Sequence, residues 1–161
     1  MMNHLYLIAE DEADTQVLIR RAFMKAGLDC PVEFVSDGEE AIDYLKGRGK
    51  FSDRTRYPIP AIMLLDFNMP KQNGLEVLTK IRRDDQLKRL VVLMLSSSVD
   101  EREILAAYEL GVNSYVEKPS SFHELVHTVL CINQYWFGCA HFPHSASGIV
   151  RPHKRHRQPA R

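Results

Sequence analysis

The chain of 161 residues is poor in cysteine and tryptophan and has no long apolar run. Its three cysteines, Cys30, Cys131 and Cys139, are odd in number and form no CxxC pair. A disulfide framework is therefore not expected, and a reducing cytoplasm is the predicted setting. No apolar stretch approaches the ~20 residues needed to cross a bilayer. A basic region ahead of an apolar stretch and a small-residue cleavage site is missing too, so no secretory signal is expected. Net charge is also absent, because 21 Lys+Arg balance 21 Asp+Glu.

That balance joins two unlike regions. Five basic residues and no acidic ones lie beyond Trp136: Arg151, Lys154, Arg155, Arg157 and Arg161. Residues 1–136 keep 16 basic against 21 acidic residues, a net of −5. The expected organisation is one acidic domain over 4–136 and a basic, disordered tail over 137–161. The tail has no apolar periodicity. Direct nucleic-acid binding and membrane association are not expected. Cys139, His141 and His144 supply too few ligands for the usual four-coordinate zinc site.

Strand-like and helix-like segments alternate along the acidic domain. Leu5–Ala9, Val32–Val35, Ala61–Leu65, Leu90–Leu95 and Ser114–Val116 read as strands. LYLIA, AIMLL and LVVLML are continuous rather than alternating, as in strands covered on both faces of a parallel sheet. Between them, helical spacing marks Thr15–Ala26, Glu39–Lys46, Leu75–Arg83, Glu101–Leu110 and Phe122–Trp136. Leu18, Ala22 and Ala26 are predicted on the buried face of the first helix, with Ile19 and Phe23 beside them. Ile104, Leu105 and Tyr108 form the apolar set of the fourth. Gly27 and Gly111 stand where helices end, and Ser36 or Asp37 and Ser120 or Ser121 where helices begin. Gly47 to Pro60 reads as a surface loop or helix extension. Strand–helix alternation predicts an open α/β sandwich with right-handed crossovers and a ligand site at the carboxyl ends of the strands.

The residues just past those ends carry the chemistry. Glu10 and Asp11 follow the first strand, Asp66 the third, Ser96–Ser98 the fourth, and Lys118-Pro119 the fifth. Converging carboxylates repel unless a cation sits among them, and hard oxygen donors suit Mg²⁺. A lysine offers a phosphate a point charge, and a hydroxyl donates to a phosphoryl oxygen. The set reads as a phosphoryl acceptor with an aspartate nucleophile.

AED, LLDFNMPKQNG, MLSSS and YVEKP, taken with their spacing, resemble the receiver domain of two-component response regulators, which has the flavodoxin-like (βα)5 fold of CheY: a doubly wound, five-stranded parallel sheet in a three-layer sandwich. DFNMPKQNGLEVL, AYELGVNSYVEKP, the lengthened loop and YWF most resemble the small regulators that partner bacterial phytochrome histidine kinases. The resemblance implies that Asp66 accepts phosphoryl from a histidine kinase. It implies Mg²⁺ held by Glu10, Asp11, Asp66 and the backbone carbonyl of Asn68, with Asp11 the more direct ligand and the longer Glu10 acting through water. Ser96 and Lys118 would bind the phosphoryl group, and a cis bond would precede Pro119. Ser96 and Tyr115 would form the switch, and Asn68 and Ser98 would tune dephosphorylation. No output domain is expected in so short and polar a tail. A homodimer through the fourth helix, fifth strand and fifth helix is plausible on the aromatic content of that face. Two other readings compete: a haloacid-dehalogenase-type phosphatase, disfavoured because Asn68 replaces its acid–base aspartate, and an interaction module without phosphorylation.

Overall fold

A computed structural model describes residues 4–143. Strands run Tyr6–Ala9 (β1), Val32–Val35 (β2), Ile62–Asp66 (β3), Val91–Ser96 (β4) and Ser114–Glu117 (β5). They alternate with helices Ala13–Lys25 (α1), Gly38–Lys46 (α2), Gly74–Arg83 (α3), Glu101–Glu109 (α4) and Phe122–Asn133 (α5). The sheet is wholly parallel, in the order β2-β1-β3-β4-β5. The order reverses between β1 and β3, which places the switch-point crevice at their carboxyl ends.

The core forms two layers because alternate strand residues face opposite ways. Leu7, Ala9, Met63 and Leu65 pack under Ala41, Val77, Leu78 and Ala107 of α2, α3 and α4. Tyr6, Ile8, Leu64 and Leu93 pack under Ile19, Ala22, Phe23 and Val129 of α1 and α5. The uninterrupted apolar runs of β1, β3 and β4 are therefore buried on both faces. Asp37 caps α2 and Ser121 caps α5, the latter in a reciprocal capping box with Glu124. Gly27 and Gly111 both adopt positive φ at helix ends.

Two helical faces differ from expectation. Leu18 is 43% exposed, and the buried stripe of α1 runs through Ile19, Ala22 and Phe23. In α4 only Ala107 is fully buried, while Leu105 and Tyr108 face outward. Apolar spacing locates a stripe, but the angle at which the helix meets the sheet selects its centre.

The segment from Gly47 to Pro60 is more than a surface loop. A 3-10 turn over Gly49–Phe51 buries Phe51 against Tyr44 and Tyr57, at centroid distances of 4.9 and 5.1 Å. Arg54 donates to the carbonyls of Tyr44 and Leu45 at the end of α2 and to that of Tyr57 within the loop, pinning the loop to the helix end.

At the other end of the chain, α5 stops at Asn133 and continues as a π-helical turn over Gln134–Cys139. Phe137 stacks on His4 at 4.1 Å and meets the edge of Tyr6 at 5.6 Å. Phe137 and Phe142 thus pack on the α1–α5 layer beyond the boundary expected at 136. The predicted disorder beyond Pro143 lies outside the described residues. No helix among the described residues is long and apolar enough to cross a membrane.

Candidate functional site

The parallel register brings the strand ends to one level. Ala9 pairs with Leu65, Asp66 with Leu95, and Ser96 with Glu117. Glu10, Asp66, Ser96 and Lys118 therefore meet at one mouth. Glu10, Asp66 and Ser96 are buried, an unusual state for polar side chains that calls for partners.

Lys118 supplies the principal one. Its Nζ donates to Glu10 Oε2 and to Asp66 Oδ2, both at 2.9 Å. Backbone N–H groups satisfy the other oxygens: Glu12 donates to Glu10 Oε1 at 3.0 Å, and Asn68 to Asp66 Oδ1 at 3.2 Å. Asp11 stands exposed at the rim. One oxygen each from Glu10, Asp11 and Asp66 falls within 4.8 Å of the others. Unit charges at that spacing repel by about 3–4 kcal/mol per pair at an effective dielectric near 20. Three carboxylates against one ammonium leave a formal deficit of two positive charges. A compact all-oxygen cluster short of two charges fits a hard divalent cation.

The charge asymmetry shows in the proton affinities. Burial raises the Glu10 carboxyl above its ordinary value, outweighing its bonds to Lys118 and to the Glu12 N–H. Burial alone would lower Lys118, but two acceptors instead hold its ammonium proton more tightly than usual. Each carboxylate has half a cation, whereas the cation has two carboxylates. Because Glu10 is raised, the folded state binds its proton more readily than the unfolded chain does. Its contribution to stability is complete below its ordinary value of 4.5 and is lost as pH rises through the raised value. In EDTA, the urea midpoint of wild type should therefore fall relative to Glu10→Gln as pH rises from 4.5 to 7. Parallel pH profiles would refute this.

Ser96 and Tyr115 are joined through one residue. Ser96 Oγ accepts from the Ser98 N–H at 3.1 Å, and the Ser98 carbonyl accepts from the Tyr115 hydroxyl at 3.0 Å. The Tyr115 ring lies edge-on to Phe67, which follows Asp66 directly. The peptide bond between Lys118 and Pro119 is trans, correcting the expected cis bond. Trans is favoured by about 0.5–1 kcal/mol before proline, and the Lys118 N–H bond to the Ser96 carbonyl at 2.7 Å holds the chain in place.

Contacts that sequence reasoning passed over shape the mouth. Gly74 opens α3 directly against β3: an added Cβ would sit 2.7 Å from the Asp66 carbonyl oxygen and 3.0 Å from Phe67 Cα. The Asn-Gly pair at 73–74 was the available signal for such a close turn. Gln16 Nε2 donates to the Glu10 carbonyl at 2.6 Å. Lys71 has φ 64° and pairs with Asp37 at 2.8 Å, tying the loop after β3 to α2. No local pattern announces these last two.

A flavodoxin-like parallel sheet with a buried acid–lysine mouth at its switch point defines a class of α/β domains with a polar site at the strand ends. Comparison with known proteins narrows it. Residues 6–130 match the family described as response regulator receiver domain. The chain is 37% identical over 137 residues to the probable methanogenesis regulatory protein FilR2 of Methanothrix harundinacea, covering 83% of this chain and 84% of that one. It is 31% identical to the response regulator Rcp1 of Synechocystis, covering 86% and 92%.

Solved structures agree. The response regulator RPA3017 in red light signaling of R. palustris superposes with a TM-score of 0.84 at 36% identity, covering 88% of this chain and 99% of that one. The phosphorylated cyanobacterial phytochrome response regulator RcpA gives 0.80 at 34%, with the same coverage. The Mn²⁺-bound form of Rcp1 gives 0.77 at 30%, again with the same coverage. The chain belongs to the response regulator receiver domain family, as a CheY-like signalling domain of two-component systems related to phytochrome response regulators.

Proposed function

We propose that Asp66 accepts a phosphoryl group from the phosphohistidine of a sensor kinase, and that the phosphorylated domain signals by a conformational switch. The observation that carries this reading is the buried Asp66 carboxylate held 2.9 Å from Lys118 Nζ. That ammonium and the Asn68 N–H, which donates to Asp66 Oδ1 at 3.2 Å, fix the carboxylate at the mouth where an incoming phosphoryl group would meet it. In the transfer, an Asp66 oxygen forms the new P–O bond as the P–N bond breaks, and the ring, protonated beforehand on its other nitrogen, takes back the bonding pair and leaves as neutral imidazole. Lys118 follows the incoming charge onto a phosphoryl oxygen. Ser96 keeps its hydroxyl proton to donate to another, since its Oγ is at present an acceptor.

Asp11, Asp66, the Asn68 carbonyl and, directly or through water, Glu10 would hold Mg²⁺, which neutralises charge on the transferring group. The compact oxygen cluster and the Mn²⁺-bound relative support this assignment. Drawing the Ser96 hydroxyl toward the phosphoryl group pulls on the Ser98 peptide, and through its carbonyl on Tyr115. Ser98 and Asn68 flank the same opening and set how readily water reaches the aspartyl phosphate. Exposed Val99, Leu105 and Tyr108 on and before α4 support a homodimer through α4, β5 and α5. The likeness to RcpA and RPA3017 supports a phytochrome-type histidine kinase as the partner.

Acetyl phosphate with Mg²⁺ should give a retarded band on a Phos-tag gel for wild type and none for Asp66→Asn. An unshifted wild type, or a shifted Asp66→Asn, overturns the reading. Mg²⁺ alone should raise the thermal midpoint. At a hundredfold excess over its dissociation constant the gain is about 2.7 kcal/mol, or about 5–10 °C for a domain of this size. Differential scanning fluorimetry measures it, and no gain at any Mg²⁺ concentration counts against the metal site.

A further inference from the structure

The turn that carries the chain from Asp66 into α3 is held in an unusual way. The Gln72 N–H donates to the Pro70 carbonyl at 2.8 Å, closing a three-residue turn with Lys71 at its centre. Lys71 has φ 64°, and among the described residues it is the one non-glycine with positive φ. A residue with a Cβ disfavours that conformation, whereas glycine takes it freely. A lysine held there against its backbone preference points to a use for its side chain.

That side chain reaches α2. Its Nζ lies 2.8 Å from Asp37 Oδ2 and 3.4 Å from Glu39 Oε2. Asp37 serves two elements at once, because its Oδ1 also accepts from the Glu40 N–H at 2.8 Å and caps the helix. The next residue adds a second hold. Gly38 lets the loop come close: an added Cβ would sit 2.5 Å from the Gln72 carbonyl oxygen and 2.6 Å from Gln72 Cβ. The same junction meets the other side of the mouth. Gln16 Nε2 donates to the Glu10 carbonyl at 2.6 Å and reaches Ser36 Oγ at 3.4 Å. Residues 36–38 thus brace both flanks, that of Glu10 through Gln16 and that of Asp66 through Lys71 and Gln72.

The braced loop is short. Lys71 follows Asn68 by three residues, and Pro70 fixes one φ between them. Asn68 carries both the N–H that donates to Asp66 Oδ1 and the carbonyl assigned to the metal. Behind it, the Gly74 N–H donates to the Phe67 carbonyl at 2.8 Å. Whatever fixes Lys71 therefore bears on where Asn68 presents its carbonyl.

We propose that, given the metal site read above, Lys71 and Asp37 are its positioning residues: their ion pair holds the loop after β3 so that the Asn68 carbonyl and the Asp66 carboxylate face one ion. Lys71 extends largely into water, and an ion pair so exposed contributes little to stability. The effect belongs to metal binding and to the loop rather than to the fold.

Two single variants and their double test this in the full chain. Lys71→Gly removes the ammonium and relieves the positive φ. Asp37→Asn keeps an oxygen for the cap and removes the carboxylate charge. Isothermal titration calorimetry with Mg²⁺ should show about tenfold weaker binding for each single variant, at the low end of what supporting contacts contribute to metal affinity. The double variant should bind no more weakly than either single one. Bulk charge alone would act with opposite signs, since losing a cation tightens Mg²⁺ and losing an anion loosens it. Thermal midpoints in EDTA should stay within a few degrees of wild type. In the metal-free protein, amide exchange at Asn68 should quicken in both single variants while exchange along β1 and β4 keeps its wild-type rate. Unchanged Mg²⁺ affinity in Lys71→Gly, opposite effects of the two single variants, additive losses in the double, or unchanged exchange at Asn68 would each overturn the proposal and leave the metal site standing. A wild type that binds no Mg²⁺ would instead remove the metal reading, and this one with it.

Discussion

Replacing Lys118 with alanine is expected to lower the stability of the metal-free protein by about 3–5 kcal/mol, the usual cost of removing one partner from a buried ion pair. The reason is local. Glu10 and Asp66 are buried, and each gives one oxygen to the same Nζ at 2.9 Å. Without the ammonium they face each other, and Asp11, with no counter-charge. Lys118→Met keeps most of the apolar stem and should lose nearly as much, which separates charge from packing. Mg²⁺ should restore a larger share of stability to these variants than it adds to wild type, because it no longer competes with an internal cation. Phosphoryl uptake should stay impaired even with the metal bound, since no ammonium remains to follow the transferred charge. Urea titrations with and without Mg²⁺ provide the measurement. Equal midpoints for wild type and Lys118→Met in EDTA would mean that Lys118 is a passive surface cation.

The second large effect is expected from one added methyl group at Gly74. The clash partners of its Cβ are backbone atoms of Asp66 and Phe67, at 2.7 and 3.0 Å, so no side chain can turn aside. Either α3 lifts from the sheet or the end of β3 moves. Overpacking of this kind costs about 1–3 kcal/mol. The functional loss should be the greater one. Displacing a reacting group by about 1 Å can slow a step about 100-fold, and here the displaced group is Asp66 itself. Gly138→Ala is the control, because nothing lies within 4 Å of its added Cβ. Phosphorylation rates with acetyl phosphate, set beside thermal midpoints, separate the two effects. A Gly74→Ala variant that reacts at the wild-type rate would show that the turn yields without moving Asp66.

Much of this site is legible because parallel α/β folding is nearly a one-dimensional code. The runs LYLIA, AIMLL and LVVLML had to be strands covered on both faces, and a parallel sheet places whatever follows each strand at one edge. Glu10, Asp66, Ser96 and Lys118 could thus be grouped without knowing a single distance. Caps at Ser36 or Asp37 and at Ser120 or Ser121, and Gly27 and Gly111 as helix ends, are similarly local, and the structure selects Asp37 and Ser121.

The tertiary structure decided whatever depends on how elements meet. Leu18 and Ile19 are equally apolar, and only the seating of α1 on the sheet buries one and exposes the other. Phe51, Tyr57 and Arg54 stand in a stretch with no periodicity, so their packing on Tyr44 and on the end of α2 had no local signature. The trans bond before Pro119, the crowding at Gly74, and Phe137 against His4 and Tyr6 belong to the same class. The sequence by itself determined which residues share the mouth, because the alternation of strands with helices is a local pattern and a parallel sheet puts every strand's carboxyl end at the same edge. Charge balance within that mouth is different in kind. That one ammonium serves two buried carboxylates, leaving negative charge in excess, follows from distances across three strand ends that only the folded sheet sets.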